Sequence, residues 1–178
     1  ANKGAGRVSP FFIPMALINL AAGQIAIDHQ LQGHCQSVVT ACAAGSNAIG
    51  EAFLRLQLGF EDIILAGGCE ASITPVAIAG FMAMRALYEG ADINRASIPF
   101  DVERSGFVMG EGAGILVLET LDHALARNAK IYGEIVGYGS TCDANHITAP
   151  LADGYMASQA MRQALAMAQI DAEQVGYI

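Results

Sequence analysis

Apolar runs short enough to be buried strands alternate with stretches of helical periodicity along this chain, and that alternation constrains the fold more than any other feature. Pro14 to His29 reads as a helix, with proline near its first turn and Gly33 shortly after it. Val38 to Ala41 reads as a buried strand, and Ala43 to Leu58 as a helix stopped by Gly59. Asp62 to Ala66 is the next expected strand, ended by Gly67-Gly68, and Thr74 to Leu87 is helical in outline, interrupted by Gly80. After a turn-rich loop, Glu89 to Arg104, the pattern predicts extended structure over Gly106 to Leu118 and a helix over Asp122 to Arg127. Ile131 to Tyr138 alternates like a strand, Tyr155 to Ala168 returns to helix, and Val175 to Ile178 opens a further strand. Strands alternating with helices mean α/β with crossover connections. No linker composition, low-complexity tract or fixed-period repeat divides the 178 residues, so one domain with a sizeable core is expected.

Composition narrows the class further. Apolar residues make up 53% of the chain and charged residues 15%, and mean hydropathy is +0.40. That excludes a disordered chain and predicts large buried interfaces, with layers packed on both faces. No apolar stretch reaches the roughly 18 residues of a membrane span; Phe11 to Ile27 is interrupted by Pro14, Asn19 and Gln24. A net charge of −8, with nine scattered Lys and Arg, argues against a nucleic-acid surface. Cys35, Cys42, Cys69 and Cys142 form no CxxC pair, which fits a reduced cytoplasmic protein, and no basic start with an apolar h-region follows Ala1. The chain opens without Met and stops at Ile178 inside an apolar run, so a longer polypeptide is expected on both sides.

The most informative run is Val38-Val39-Thr40-Ala41-Cys42-Ala43-Ala44-Gly45-Ser46. It reads as a strand that delivers Cys42 to a sharp turn, with a long helix behind it. A helix N-terminus offers unpaired N–H groups and a partial positive charge, which stabilise a thiolate and can hold the oxyanion of a tetrahedral intermediate. Small neighbours leave room for a thioester to approach. By local pattern alone, a buried inert cysteine at a strand–helix junction fits equally well.

Thr40-Ala41-Cys42-Ala43-Ala44-Gly45 resembles the nucleophile turn of the elongating beta-ketoacyl-acyl-carrier-protein synthases, type II ketosynthases of the thiolase superfamily. Further segments agree in order and spacing: Ser9–Pro14, Leu65–Ala71, Pro99–Asp101, Gly106–Gly114 and Cys142–Pro150. The resemblance implies an α/β, thiolase-like layered fold, here incomplete. Residues 1–178 would be the central part, from the helix before the nucleophile strand to the strand before the first catalytic histidine. It also implies fatty-acid chain elongation: Cys42 takes an acyl group from acyl carrier protein, and malonyl-carrier protein then condenses with loss of CO2. No metal or redox cofactor is implied, because phosphopantetheine arrives on the carrier. The implied partners are acyl carrier protein and a second copy of the chain, paired through a strand matching His34–Ala41.

Residue by residue, the resemblance places His146 and Thr148 beside the pantetheine channel, although Asn145 stands where the family usually has Tyr. It puts Phe81 in the acyl pocket and Arg85 near the mouth where an acidic carrier docks. Each has a plainer reading: His146 as a structural loop residue, Phe81 as a core aromatic, Arg85 as a solvated helix charge. The family's two catalytic histidines match no position here; the first belongs to an Asn-Ala-His-Gly run expected just beyond Val175–Ile178.

Gly110-Glu111-Gly112-Ala113-Gly114 invites a nucleotide-loop reading, but strand-like residues follow it, so no helix N-terminus is offered to a phosphate. Cys142 and His146 lack a second ligand pair for a metal. His29, His34 and His123 show no partner in sequence. Two rival functions stay open: a cysteine hydrolase using Cys42, His146 and Asp143, and a non-catalytic ketosynthase-like piece serving dimer contact or carrier docking.

Overall fold

The computed structural model describes residues Gly4 to Ile178. Its helices are α1 (Phe12–Ala16), α2 (Leu20–His29), α3 (Ala44–Gln57), α4 (Pro75–Ala83), α5 (Leu121–Ala126) and α6 (Tyr155–Ala168), and its strands β1 (Ile63–Glu70) and β2 (Gly112–Glu119). The expected helix over Pro14 to His29 is instead two helices, α1 and α2, separated at residues 17–19. Thr74 caps α4, its hydroxyl accepting from Ala77 N, with Pro75 in the first turn.

The chain divides into two compact units. One comprises the residues up to Ala66 together with Val117–Ile178; the other is Gly67–Leu116. β1 pairs with β2. Thr120 N bonds Asp62 O, while Gly67 lies against Gly114 and Ile115, so the two strands run antiparallel. β1 does not stop at Gly67-Gly68 but continues through them to Glu70. The reason is steric: a Cβ on Gly67 would sit 2.0 Å from the Gly114 carbonyl oxygen, so glycine is what lets the strands approach.

Three expected strands are not formed. Val38–Ala41, Ile131–Tyr138 and Val175–Ile178 make no ladder pairs among the described residues, and Ala41 enters a 3-10 turn. An alternating apolar pattern makes a segment fit to be a strand, but a neighbouring edge must supply the partners for its N–H and C=O groups.

The expected core is also small. Among the described residues, Ala52, Phe53, Ala66 and Ala124 are the buried apolar side chains. Phe11, Phe12, Met15 and Ile18 on and around α1 are all exposed, so the apolar excess of the composition lies at the surface here.

In the first unit, residues 137–139 lie between two helices. Cβ atoms on Gly137 and Gly139 would fall 2.1 and 1.9 Å from the carbonyl oxygens of Ala164 and Ala160, one turn apart on α6. Tyr138, between them, turns the other way: its ring lies against Gly50 of α3. The alternation foreseen for a strand therefore survives as two-sided packing. Ser140 N bonds Gln163 Oε1 and the Thr141 hydroxyl bonds Met156 O, fastening the same segment to α6.

His123 has a partner after all. Its Nδ1 lies 2.6 Å from Glu119 Oε1, and Arg127 grips both oxygens of that carboxylate from the end of α5. The hydrogen bond from Arg127, then that from His123, lowers the pKa of Glu119 to about 2. A carboxylate with a lowered folded pKa stabilises the fold above its unfolded value, and that contribution fades as pH falls towards the folded pKa. Between pH 4.5 and 2 the thermal midpoint should therefore fall, and by less in Arg127→Ala than in the parent chain. Scanning calorimetry across that window checks this; equal slopes would remove Glu119 from the account.

Candidate active site

Cys42 occupies the middle of the Ala41–Ala43 3-10 turn, immediately ahead of the fourteen-residue helix α3, and it is exposed. The turn is closed by a hydrogen bond from Ala43 N to Thr40 O. No side chain caps the first turn of α3, and that turn holds no acidic residue. The helix therefore presents its N-terminal N–H groups and positive dipole end beside the thiol without a competing carboxylate. Ala41 holds a left-handed φ of 49°, a conformation that a side chain disfavours.

The segment leading into the turn is tied at three points. The Ser37 hydroxyl bonds Ile18 O, Gln36 Nε2 bonds Glu51 Oε2 of α3 at 2.8 Å, and Asn47 Nδ2 donates to Thr40 Oγ1 at 2.9 Å. Tyr138 in turn donates from its hydroxyl to Asn47 Oδ1 at 3.1 Å. None of these ties is apparent in the sequence; the pointers available are the spacing of Asn47 and Gly50 on one face of α3 and the aromatic set between Gly137 and Gly139.

His146 lies in the loop before α6, in the same unit as Cys42. Its Nδ1 accepts from both Thr148 N (3.1 Å) and Ala149 N (3.0 Å), which leaves the proton of the neutral ring on Nε2. Thr148 is thereby held through its backbone, with its side chain exposed. The Asp143 carboxylate accepts from Leu151 N. Asp143 and His146 thus each serve their own loop and make no hydrogen bond to one another, so the orienting pair that a hydrolase triad needs is not assembled.

Phe81 and Arg85 belong to the second unit. Phe81 is half-buried and meets Phe107 edge-on, ring centroids 5.1 Å apart. Arg85 closes α4 with a left-handed φ of 54° and Ala86 N bonded back to Phe81 O; it is exposed and makes no ion pair among the described residues. Glu111, from the glycine-rich run, accepts from Ile73 N at 2.8 Å, a structural tie. Among the described residues no group of three His, Cys, Asp or Glu side chains is placed to hold a metal ion, and no helix is long and apolar enough to cross a membrane.

Residues 1–124 match the family described as beta-ketoacyl synthase, N-terminal domain, and residues 132–178 match its C-terminal domain. The chain is 53% identical over 179 residues to 3-oxoacyl-[acyl-carrier-protein] synthase 2 of Rhizobium meliloti, covering 99% of this chain and 42% of that protein. It is 54% identical to the protein of that name from Synechocystis sp., at 99% and 43% coverage. Among solved structures, the complex of a type II polyketide acyl-carrier protein with its ketosynthase bound to the hexaketide superposes with a TM-score of 0.86 at 40% identity, covering 89% of this chain and 40% of that one. A beta-ketoacyl synthase from Burkholderia phymatum gives 0.83 at 38% identity, with coverages of 89% and 38%. The chain thus spans about two-fifths of the length of the relatives it matches, and its fold is that part of the thiolase-like ketosynthase fold. Matched over nearly all of its own length and more than half identical to curated members, this chain belongs to the beta-ketoacyl synthase family.

Proposed function

We propose that the polypeptide carrying this chain is an elongating 3-oxoacyl-[acyl-carrier-protein] synthase in which Cys42 accepts the acyl group. The observation that carries this reading is the exposed Cys42 thiol in a closed turn directly ahead of α3, with no cap and no acid in the first helical turn. Cys42 Sγ attacks the carbonyl of an acyl thioester on the carrier. The new S–C bond forms as the carrier's S–C bond breaks, and the pantetheine thiol leaves with the proton that Cys42 gives up. Malonyl-carrier protein then loses CO2, and its carbanion attacks the acyl-enzyme, releasing the Cys42 thiolate and a product two carbons longer.

The remaining assignments are carried over from family membership. His146, with its ring fixed by two backbone donors, and Thr148 line the pantetheine path; Phe81 lines the acyl pocket, and Arg85 faces the acidic carrier. The chemistry requires no metal or redox cofactor. The two decarboxylating histidines are assigned to sequence outside residues 1–178. Four free cysteines suit a reducing, cytoplasmic setting. The protein pairs as a homodimer through His34–Ala41, whose backbone makes no ladder pairs among the described residues and whose Val39 is 66% exposed.

The experiment is an incubation of the gene-encoded polypeptide with acyl-carrier and malonyl-carrier protein, products resolved by mass spectrometry. A carrier-bound 3-oxoacyl product two carbons longer is expected, from a dimer by light scattering. Free acid without extension would favour the hydrolase, and neither product the non-catalytic role; a monomer would refute the paired segment.

A further inference from the structure

We propose that Asn47, braced by Tyr138, is a positioning residue for Cys42, an inference that rests on the reading of Cys42 as the acyl acceptor. Thr40 is held at both of its polar ends. Its carbonyl accepts from Ala43 N across Ala41 and Cys42, and its hydroxyl accepts from Asn47 Nδ2 at 2.9 Å. Asn47 therefore joins the residue before the turn to the helix after it, with Cys42 between. The bond is an added constraint where one is needed, because Ala41 at φ 49° has no intrinsic preference for the shape it holds.

A side-chain amide on a helix surface would ordinarily be free to rotate. Here the Tyr138 hydroxyl, 91 residues on, donates to Asn47 Oδ1 at 3.1 Å and leaves Nδ2 directed to Thr40. The tyrosine reaches it because Gly50 lies one turn along the same face of α3. A Cβ on Gly50 would stand 2.1 Å from Tyr138 Cε2, so only glycine lets the ring lie along the helix. Asn47 and Tyr138 are both half-buried, which shields the pair from competing water. Neither hydrogen-bonds the thiol; they act through the backbone of the turn.

Acylation of Cys42 by an acyl-pantetheine thioester, followed by quenched-flow mass spectrometry on the gene-encoded polypeptide, tests this. Asn47→Ala is expected to lower the saturating acylation rate about tenfold, and Tyr138→Phe, which keeps the ring, about fivefold, with KM within twofold of the parent. Because Tyr138 works through Asn47, the double variant should match Asn47→Ala alone, whereas independent packing roles would multiply to about fiftyfold. Thr40→Val should reproduce the loss, and Thr40→Ser, which keeps the hydroxyl, should restore the rate. Multiplicative losses, or a Tyr138→Phe rate within twofold of the parent, would overturn the inference. If Asn47→Ala does not fold, Tyr138→Phe and the Thr40 pair still decide. Peptide mapping separates the two claims: acylation found on another cysteine removes the nucleophile reading, whereas acylation of Cys42 at an unchanged rate removes only the clasp.

Discussion

Replacing Cys42 with alanine is expected to reduce acyl transfer to the protein by about 10⁴-fold or more, to the limit of detection. The size of the effect follows from the absence of a stand-in. Cys35, Cys69 and Cys142 are also free and exposed, but Cys35 lies in the unpaired segment before the turn, Cys69 in β1 and Cys142 in the loop leading to α6. None precedes a helix N-terminus, so none gains the dipole and N–H groups that favour a thiolate and its tetrahedral intermediate. Intact-mass detection of the acyl adduct is the measurement, with sub-stoichiometric alkylation and peptide mapping of the parent chain as its companion. Persistence of the adduct in Cys42→Ala, or preferential alkylation elsewhere, would refute the assignment.

The largest effect on stability is expected at Gly139. A methyl group there would meet the Ala160 carbonyl oxygen at 1.9 Å, its carbon at 2.8 Å and Gln163 Cβ at 3.0 Å. The first two are backbone atoms of α6, so relief requires the helix or residues 137–141 to move, which would strain the Ser140–Gln163 and Thr141–Met156 bonds. Gly139→Ala should cost about 2–3 kcal/mol, in the range of core overpacking. Gly133→Ala is the control, because its Cβ would have nothing within 4 Å, and it should stay within about 0.5 kcal/mol of the parent. Denaturant melts of the gene-encoded polypeptide give both values, and equal midpoints would show that α6 yields freely.

Which elements could be read from the amino-acid order depends on how local their causes are. α6 occupies the predicted range, Tyr155–Ala168, and α3 differs from its predicted bounds by one residue at each end, because helix hydrogen bonds close within four residues. The Cys42 turn was legible for the same reason, as small residues running straight into a helical pattern. Strands were the weak point: Val38–Ala41, Ile131–Tyr138 and Val175–Ile178 have the right alternation, yet pairing depends on an edge that no local pattern specifies. Where an edge is present, as for β1 against β2, the strand outran its predicted end because Gly67 serves close packing rather than termination. The bond from Tyr138 to Asn47 left only indirect pointers, a glycine on the face of α3 and an aromatic between two glycines, since two polar side chains 91 residues apart share no periodicity. Likewise the partner of His123 needed the helix α5 to bring Arg127 and His123 round to one carboxylate.

Under the proposed role of Cys42, Ala41 would bear on the temperature dependence of acyl transfer. An alanine at φ 49° carries about 1–2 kcal/mol of steric penalty that a glycine would avoid. Glycine, however, visits both signs of φ readily, so a turn built on it would be one member of an ensemble and would have to be gathered up each time a thioester docked. With alanine, and with Thr40 pinned from both ends, that ordering is completed during folding. On the proposed role of Cys42, the barrier to acylation would then contain little activation entropy from the backbone of this turn. A rate governed in this way would steepen with temperature while its pre-exponential factor stayed high, and the strain at Ala41 would be offset by a turn already ordered when the thioester arrives.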